Sequence, residues 1–109
     1  MTGFTVSVQH HAASTDVLIG GDVGLEVADQ LKSAGIDAVR TSDRPRVVID
    51  LGDVTFLDSS GLGALVTIRT EAIDAGKDVR LRNVPPRVAR VLAITGLTDA
   101  FPVDDSPAA

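Results

Sequence analysis

Six consecutive residues, Asp58-Ser59-Ser60-Gly61-Leu62-Gly63, gather the groups best equipped for chemistry in this chain. Two hydroxyls sit beside one carboxylate, and two glycines follow. Asp or Ser caps a helix by accepting hydrogen bonds from its free N–H groups. A helix start carries about half a positive charge and receives anions. Capping explains one of these residues and no more. Gly61 and Gly63 each cost up to roughly 1 kcal/mol against Ala in a helix, so stability alone does not account for both. They are expected to bare the backbone to a partner or an anion, with packing against a neighbouring strand as the alternative.

A phosphate on Ser59 would add about −1.5 to −2 charge at that helix start, which the folded monomer tolerates. It would stand beside Asp58 on an already acidic protein. An acidic partner surface is then repelled, and an apolar one must desolvate the phosphate. Such a switch acts at an interface and leaves the domain folded.

Other chemistries fit less well. A nucleophilic Ser59 lacks the Gly-x-Ser-x-Gly elbow, and the two histidines, His10 and His11, belong to the far end of the first hairpin. Adjacent histidines on a strand point to opposite faces, so they read as a surface turn and no metal site is expected. Arg80, Arg82, Arg87 and Arg90 read as a solvated rim. Gly61-Leu62-Gly63-Ala64 lacks the spacing of a dinucleotide fingerprint, and no P-loop Gly-Lys-Ser/Thr occurs, so no cofactor is expected.

The elements that must position the motif follow from periodicity. Phe4 to Gln9 alternates as a half-buried strand, and His10 to Ser14 turns into a second strand over Asp16 to Gly20. Gly20-Gly21-Asp22-Val23-Gly24 reads as a glycine-rich corner. Leu25, Ala28 and Leu31 recur at helical spacing and predict a helix from Leu25 to about Val39, its last turn weakened by Gly35. Ser42-Asp43-Arg44-Pro45 connects it to Val47-Val48-Ile49-Asp50-Leu51, a strand buried on both faces. Gly52-Asp53 is expected to break that strand before Val54 to Leu57 leads into Asp58.

A helix then runs to Ala75 and stops at Gly76, with Leu62, Leu65, Val66 and Ile73 on its apolar side. Val79 to Arg82 makes another strand, and Pro85-Pro86 opens a short helix that closes at Gly96-Leu97. Phe101 is placed at the start of a last edge strand. Strands separated by helices favour a mostly parallel sheet. The expected fold is a single α/β domain over residues 1–101, a mixed sheet with an N-terminal β-hairpin and helices packed against it. Pro102 to Ala109 is expected to be a short flexible acidic tail.

With 109 residues the chain suits one domain with its own core. Only three aromatics occur, all Phe, so Val, Leu, Ile and Ala must build that core. The absence of cysteine removes disulfides and thiolate chemistry. A net charge of −5 argues against nucleic acid as a partner. No apolar run reaches the roughly 20 residues a membrane span needs, and the start lacks a signal-peptide pattern, so a cytoplasmic location is expected.

Val47 to Leu51 followed by Phe56 to Gly63 resembles the signature region of bacterial STAS-domain anti-sigma factor antagonists. Gly76-Lys77-Asp78-Val79 and Val88 to Leu97 are similar to that family's later strand and helix, and the likeness runs from Phe4 to Phe101. The resemblance implies a non-enzymatic regulator that binds an anti-sigma factor with serine kinase activity and frees a sigma factor. It implies phosphorylation at Ser59, with Ser60 as a secondary acceptor, and a serine phosphatase that resets the cycle. The implied partner surface comprises Asp22, Val23, Gly24, Asp58, Ser59, Ser60, Gly61, Leu62, Gly63 and Thr67. Gly21-Asp22-Val23-Gly24 departs from the family pattern, which has Asp where Gly24 stands, and this bears on phosphorylation more than on binding. A STAS-type nucleotide or anion sensor, and a scaffold subunit of a stress-signalling complex, are the alternatives. The oligomeric state is left open, a monomer included.

Overall fold

In the computed structural model, which describes residues 3–104, four strands form one sheet in the order β1-β2-β3-β4. β1 (Thr5–His10) pairs antiparallel with β2 (Ser14–Val23), placing Val8 opposite Val17. β3 (Arg46–Leu57) runs parallel to β2, and β4 (Asp78–Arg82) runs parallel to β3. Three helices join them: α1 (Leu25–Thr41), α2 (Ser59–Asp74) and α3 (Pro86–Ile94). A single 3₁₀ turn covers Thr98–Ala100. This is the expected mixed α/β architecture with an N-terminal hairpin.

Strand alternation sends Val17, Ile19, Val47, Ile49, Leu51, Val79 and Leu81 to one side of the sheet. There they join Leu31 and Ala38 of α1 and Leu65, Ile68 and Ala72 of α2 in one buried cluster. Gly35 belongs to this packing. A Cβ built on it would lie 2.3 Å from Ile68 Cδ1, so the glycine lets α1 and α2 approach, and α1 runs on past it to Thr41.

Two strands are longer than periodicity predicts. β3 continues through Gly52-Asp53 without a break, and β2 absorbs Gly20 to Val23, the expected corner. Register shifts between Leu18 and Gly20 and between Gly21 and Asp22 keep β2 paired to β3 through this stretch. Gly21 takes φ +82°, and a Cβ there would meet the Gly3 carbonyl oxygen at 2.0 Å. The glycines therefore build a bulge where a corner was expected. The consequence is positional: Asp22 and Val23 end up paired with Phe56 and Leu57.

The C-terminal end also departs from expectation. Phe101 is buried, and Val103 forms one parallel bridge to Leu81 in place of an edge strand. The flexible tail expected from Pro102 onward does not begin there. Leu81 N donates to Pro102 O at 2.8 Å and Asp104 N to Leu81 O at 2.6 Å. The cause lies on the other sheet face, where Asp16 is 1% exposed. Arg82 Nη1 donates to Asp16 Oδ2 at 2.6 Å and its Nη2 to Asp104 Oδ2 at 3.4 Å. Burial opposes the charge on Arg82, yet the hydrogen bond and attraction of Asp16, with Asp104 and Asp50 adding, raise its pKa. The remainder of the expected tail, residues 105–109, lies outside the described residues.

Candidate functional site

The site is built where the parallel strands β2 and β3 end side by side. Such carboxyl ends are where helices begin in α/β sheets and where sites tend to lie. β2 leads through Gly24 into α1, and β3 leads through Asp58 into α2. Asp58 N donates to Val23 O at 3.2 Å, tying the second junction to the first.

Asp58 caps α2. Its Oδ1 accepts from Ser60 N at 2.9 Å and Gly61 N at 3.0 Å, and its carbonyl accepts from Leu62 N at 2.9 Å. The other carboxylate oxygen, Oδ2, lies 3.0 Å from where a Cβ on Gly24 would be. Gly24 therefore leaves an opening over Asp58 that a side chain would crowd. α1 has no side-chain cap at Gly24 and carries Glu26 in its first turn, whereas the first turn of α2 holds no acidic residue.

Ser59, the first residue of α2, is exposed, and its hydroxyl has no hydrogen-bond partner among the described residues. Ser60 is half-buried. The two glycines turn out to do different things. A Cβ on Gly61 would meet Val23 O at 2.4 Å, Leu57 Cδ1 at 2.7 Å and Val23 Cγ1 at 2.9 Å. Gly61 thus seats the helix against β2 and β3, so for this residue the packing alternative holds. Gly63 is exposed with nothing within 4 Å of its Cβ position, leaving the helix backbone bare.

The structure sorts the ten residues named for the partner surface. Asp22, Gly24, Asp58, Ser59, Ser60 and Gly63 are exposed or half-buried around the two helix starts, whereas Thr67 is half-buried about 12 Å further along α2, against Asp29, Ser33 and Arg40 of α1. Val23, Gly61 and Leu62 are corrected to supporting positions, because Val23 is 1% exposed, Leu62 is 6% exposed and Gly61 is buried. Asp22 Oδ1 accepts from Thr55 Oγ1 at 2.5 Å, so Asp22 is tied to the neighbouring strand. Thr67 Oγ1 returns to Gly63 O at 3.0 Å.

Sequence reasoning missed two apolar residues beside the opening. Leu25 was placed on the buried stripe of α1 but is 75% exposed, because it occupies the first helical position, before the stripe reaches the core. Phe56 is 45% exposed, and its ring edge lies 4.0 Å from the Gly24 Cβ position. The alternation of β3, with Leu57 buried and Phe56 outward, was the available signal.

His10 and His11 lie at the opposite end of the sheet. His10 Nδ1 is 3.1 Å from Thr15 Oγ1, and His11 Nε2 is 3.3 Å from Asp16 Oδ2. Asp16 pairs with Val48, nine residues before Leu57, on the order of 30 Å along β3 at about 3.3 Å per residue. No histidine reaches Ser59, which leaves the serine without a general base of that kind. Among the described residues no group of three His, Cys, Asp or Glu side chains could hold a metal. No helix among them is long and apolar enough to cross a membrane.

A family model described as "Mlab, STAS domain" matches residues 6–103. The chain belongs to the STAS-domain anti-sigma factor antagonist family. An anti-sigma factor antagonist from Mycobacterium paratuberculosis is 30% identical, with a TM-score of 0.81 over 95% of this chain and 87% of that one. The anti-sigma F factor antagonist of Paenibacillus polymyxa is 25% identical over 101 residues, 93% of this chain and 86% of that protein. The Bacillus anti-sigma factor antagonist SpoIIAA shares the fold at 17% identity, both unphosphorylated (TM-score 0.76) and phosphorylated (TM-score 0.71). Those two structures each cover 95% of this chain, which in turn covers 90% and 92% of theirs.

Proposed function

We propose that this chain is a cytoplasmic anti-sigma factor antagonist, binding an anti-sigma factor with serine kinase activity and being released by phosphorylation of Ser59. The observation that carries the reading is the Ser59 hydroxyl, exposed and unbonded at the first position of α2. A kinase can take that hydroxyl without unfolding anything. Asp58 holds the helix start, so Ser59 is free of the capping duty that a lone serine would perform. Ser60 is the secondary acceptor and is less accessible.

The consequence of phosphorylation is electrostatic. A phosphate of about −1.5 to −2 charge would share the helix start with Asp58, whose Oδ2 already faces the Gly24 opening. The helix dipole offsets part of that charge inside the monomer, so the fold survives. A partner lying on Leu25, Phe56 and Gly63 has no such compensation. It must either desolvate the phosphate or withdraw.

Gly24 separates the two halves of the reading. Binding needs the shape of the surface, which the glycine leaves open. The family pattern places a second carboxylate near the phosphoacceptor, and here Asp58 stands without one at position 24. Transfer to Ser59 is therefore expected to be slow relative to a Gly24→Asp variant. Incubation with purified anti-sigma factor kinases and ATP, followed by mass spectrometry, tests this. One phosphate on Ser59, removed by a serine phosphatase, is the expected result; phosphate on neither serine, or on Thr67 alone, refutes the switch.

A further inference from the structure

A second surface lies beside the first. The end of β3 and the start of α3 enclose an open groove of about 730 Å³, lined by Val54, Thr55, Phe56, Pro86, Arg87 and Arg90 among others. Its apolar wall is Phe56, which also borders the Gly24 opening, so the two surfaces are continuous. Its other wall is cationic. Arg87 Nη1 donates to the Thr55 carbonyl at 3.0 Å, fixing the guanidinium at the groove and leaving its other donors free. Arg90 is exposed, and neither arginine has a carboxylate partner among the described residues.

Exposure completes the contrast. The chain carries a net charge of −5, and Lys32, Arg40, Arg44, Arg46, Arg80 and Arg82 are each paired with an acidic side chain. Arg69 and Lys77, which also lack a carboxylate partner among the described residues, are half-buried and donate to the backbone carbonyls of Ala100 and of Ser42 and Arg44. Arg87 and Arg90 sit one helical turn apart, and such a pair presents its guanidinium groups together. Two unneutralised guanidinium groups facing an exposed aromatic ring match an acidic segment with an apolar anchor. Guanidinium groups bind carboxylates by paired, charge-assisted hydrogen bonds.

We propose that this groove docks an acidic segment of a partner protein, its carboxylates on Arg87 and Arg90 and an apolar side chain against Phe56. The surrounding negative charge of the chain favours a short acidic stretch held locally over a nucleic acid, whose phosphates would extend across the acidic surface. The docking does not depend on whether Ser59 is a phosphoacceptor.

The test uses the full chain labelled with ¹⁵N and a synthetic peptide, acetyl-Asp-Glu-Leu-Leu-Glu-Asp-amide, with a lysine-substituted counterpart as control. The acidic peptide is expected to shift the amides of Thr55, Phe56, Val88 and Arg90, and to do so less as salt rises. The lysine peptide should leave them unmoved. R87E/R90E and, separately, Phe56→Ser should each abolish the shifts, while Ser59→Ala should retain them. Absent shifts at the groove, equal shifts with both peptides, or shifts that survive R87E/R90E overturn the proposal. So does a single-stranded oligonucleotide that moves the same amides at lower concentration than the peptide.

Discussion

Gly61 and Gly63 share one helical turn and one local sequence, yet alanine should affect them in opposite directions. In a helix, replacing Gly by Ala stabilises by roughly 0.4–1 kcal/mol, largely by restricting the unfolded chain. Gly63 has open space at its Cβ position, so Gly63→Ala should gain most of that amount. At Gly61 the new methyl would meet a backbone carbonyl oxygen, that of Val23, at 2.4 Å, and the buried Leu57 side chain at 2.7 Å. Overpacking of this kind costs about 1–3 kcal/mol, which outweighs the helix gain and leaves a net loss of about 1–2 kcal/mol.

For a domain near this size each 1 kcal/mol moves Tm by roughly 4–8 °C. Calorimetric melting should therefore place Gly61→Ala about 4–16 °C below wild type and Gly63→Ala about 2–8 °C above it. Urea melts should show the same order with unchanged m-values. Gly63→Ala should also weaken partner binding despite its added stability, because its methyl protrudes from the bare backbone beside Ser59. Gly61→Ala melting at or above wild type would refute the close approach of α2 to β2. A fall in both variants would refute the distinction between them.

Asp58→Ala should lose about 1 kcal/mol in urea denaturation, since it orphans the Ser60 and Gly61 N–H groups, whereas Asp58→Asn keeps a cap and should stay within a few tenths. Arg82→Met leaves the buried Asp16 carboxylate with only Ser14 Oγ and His11 beside it and should cost up to about 3–5 kcal/mol, partly recovered when Asp16→Asn is added. An Arg82→Met protein as stable as wild type would remove the ion pair from the account of the C-terminal end. Gly24→Asp should speed phosphoryl transfer to Ser59 in a timed kinase assay, and an unchanged rate would make position 24 irrelevant to the transfer.

Local chemistry was legible in the sequence, and long-range contacts were not. A cap from Asp or Ser at the start of α2, Gly76 as the stop and the stripe of α1 from Ala28 onward each depend on neighbours within four residues, and each appears where local spacing puts it. Gly52 and Gly20-Gly21 read as breaks because a glycine in a strand resembles a turn when the partner strand is unknown. Only the register of β2 on β3 shows a bulge, and that register carries Asp22 to its place beside Phe56. The opposite roles of Gly61 and Gly63 depend on Val23, nearly forty residues away. Arg82 read as a solvated residue on a rim until Asp16 and Asp104, from either end of the chain, closed around it. Around Ser59, Val23, Gly61 and Leu62 lie below the surface, and Leu25 and Phe56 are exposed beside it, a sorting that depends on contacts between β2, β3 and α2.

The central claim is that the surface around Ser59 binds an anti-sigma factor and that charge on Ser59 breaks the contact. Titration calorimetry of a purified anti-sigma factor kinase against wild type, Ser59→Ala and Ser59→Asp tests it most directly. Ser59→Ala should bind as wild type does and stay bound in ATP, while Ser59→Asp should melt normally and lose most of its affinity. Equal affinity of the two variants, or unfolding of Ser59→Asp, would contradict it.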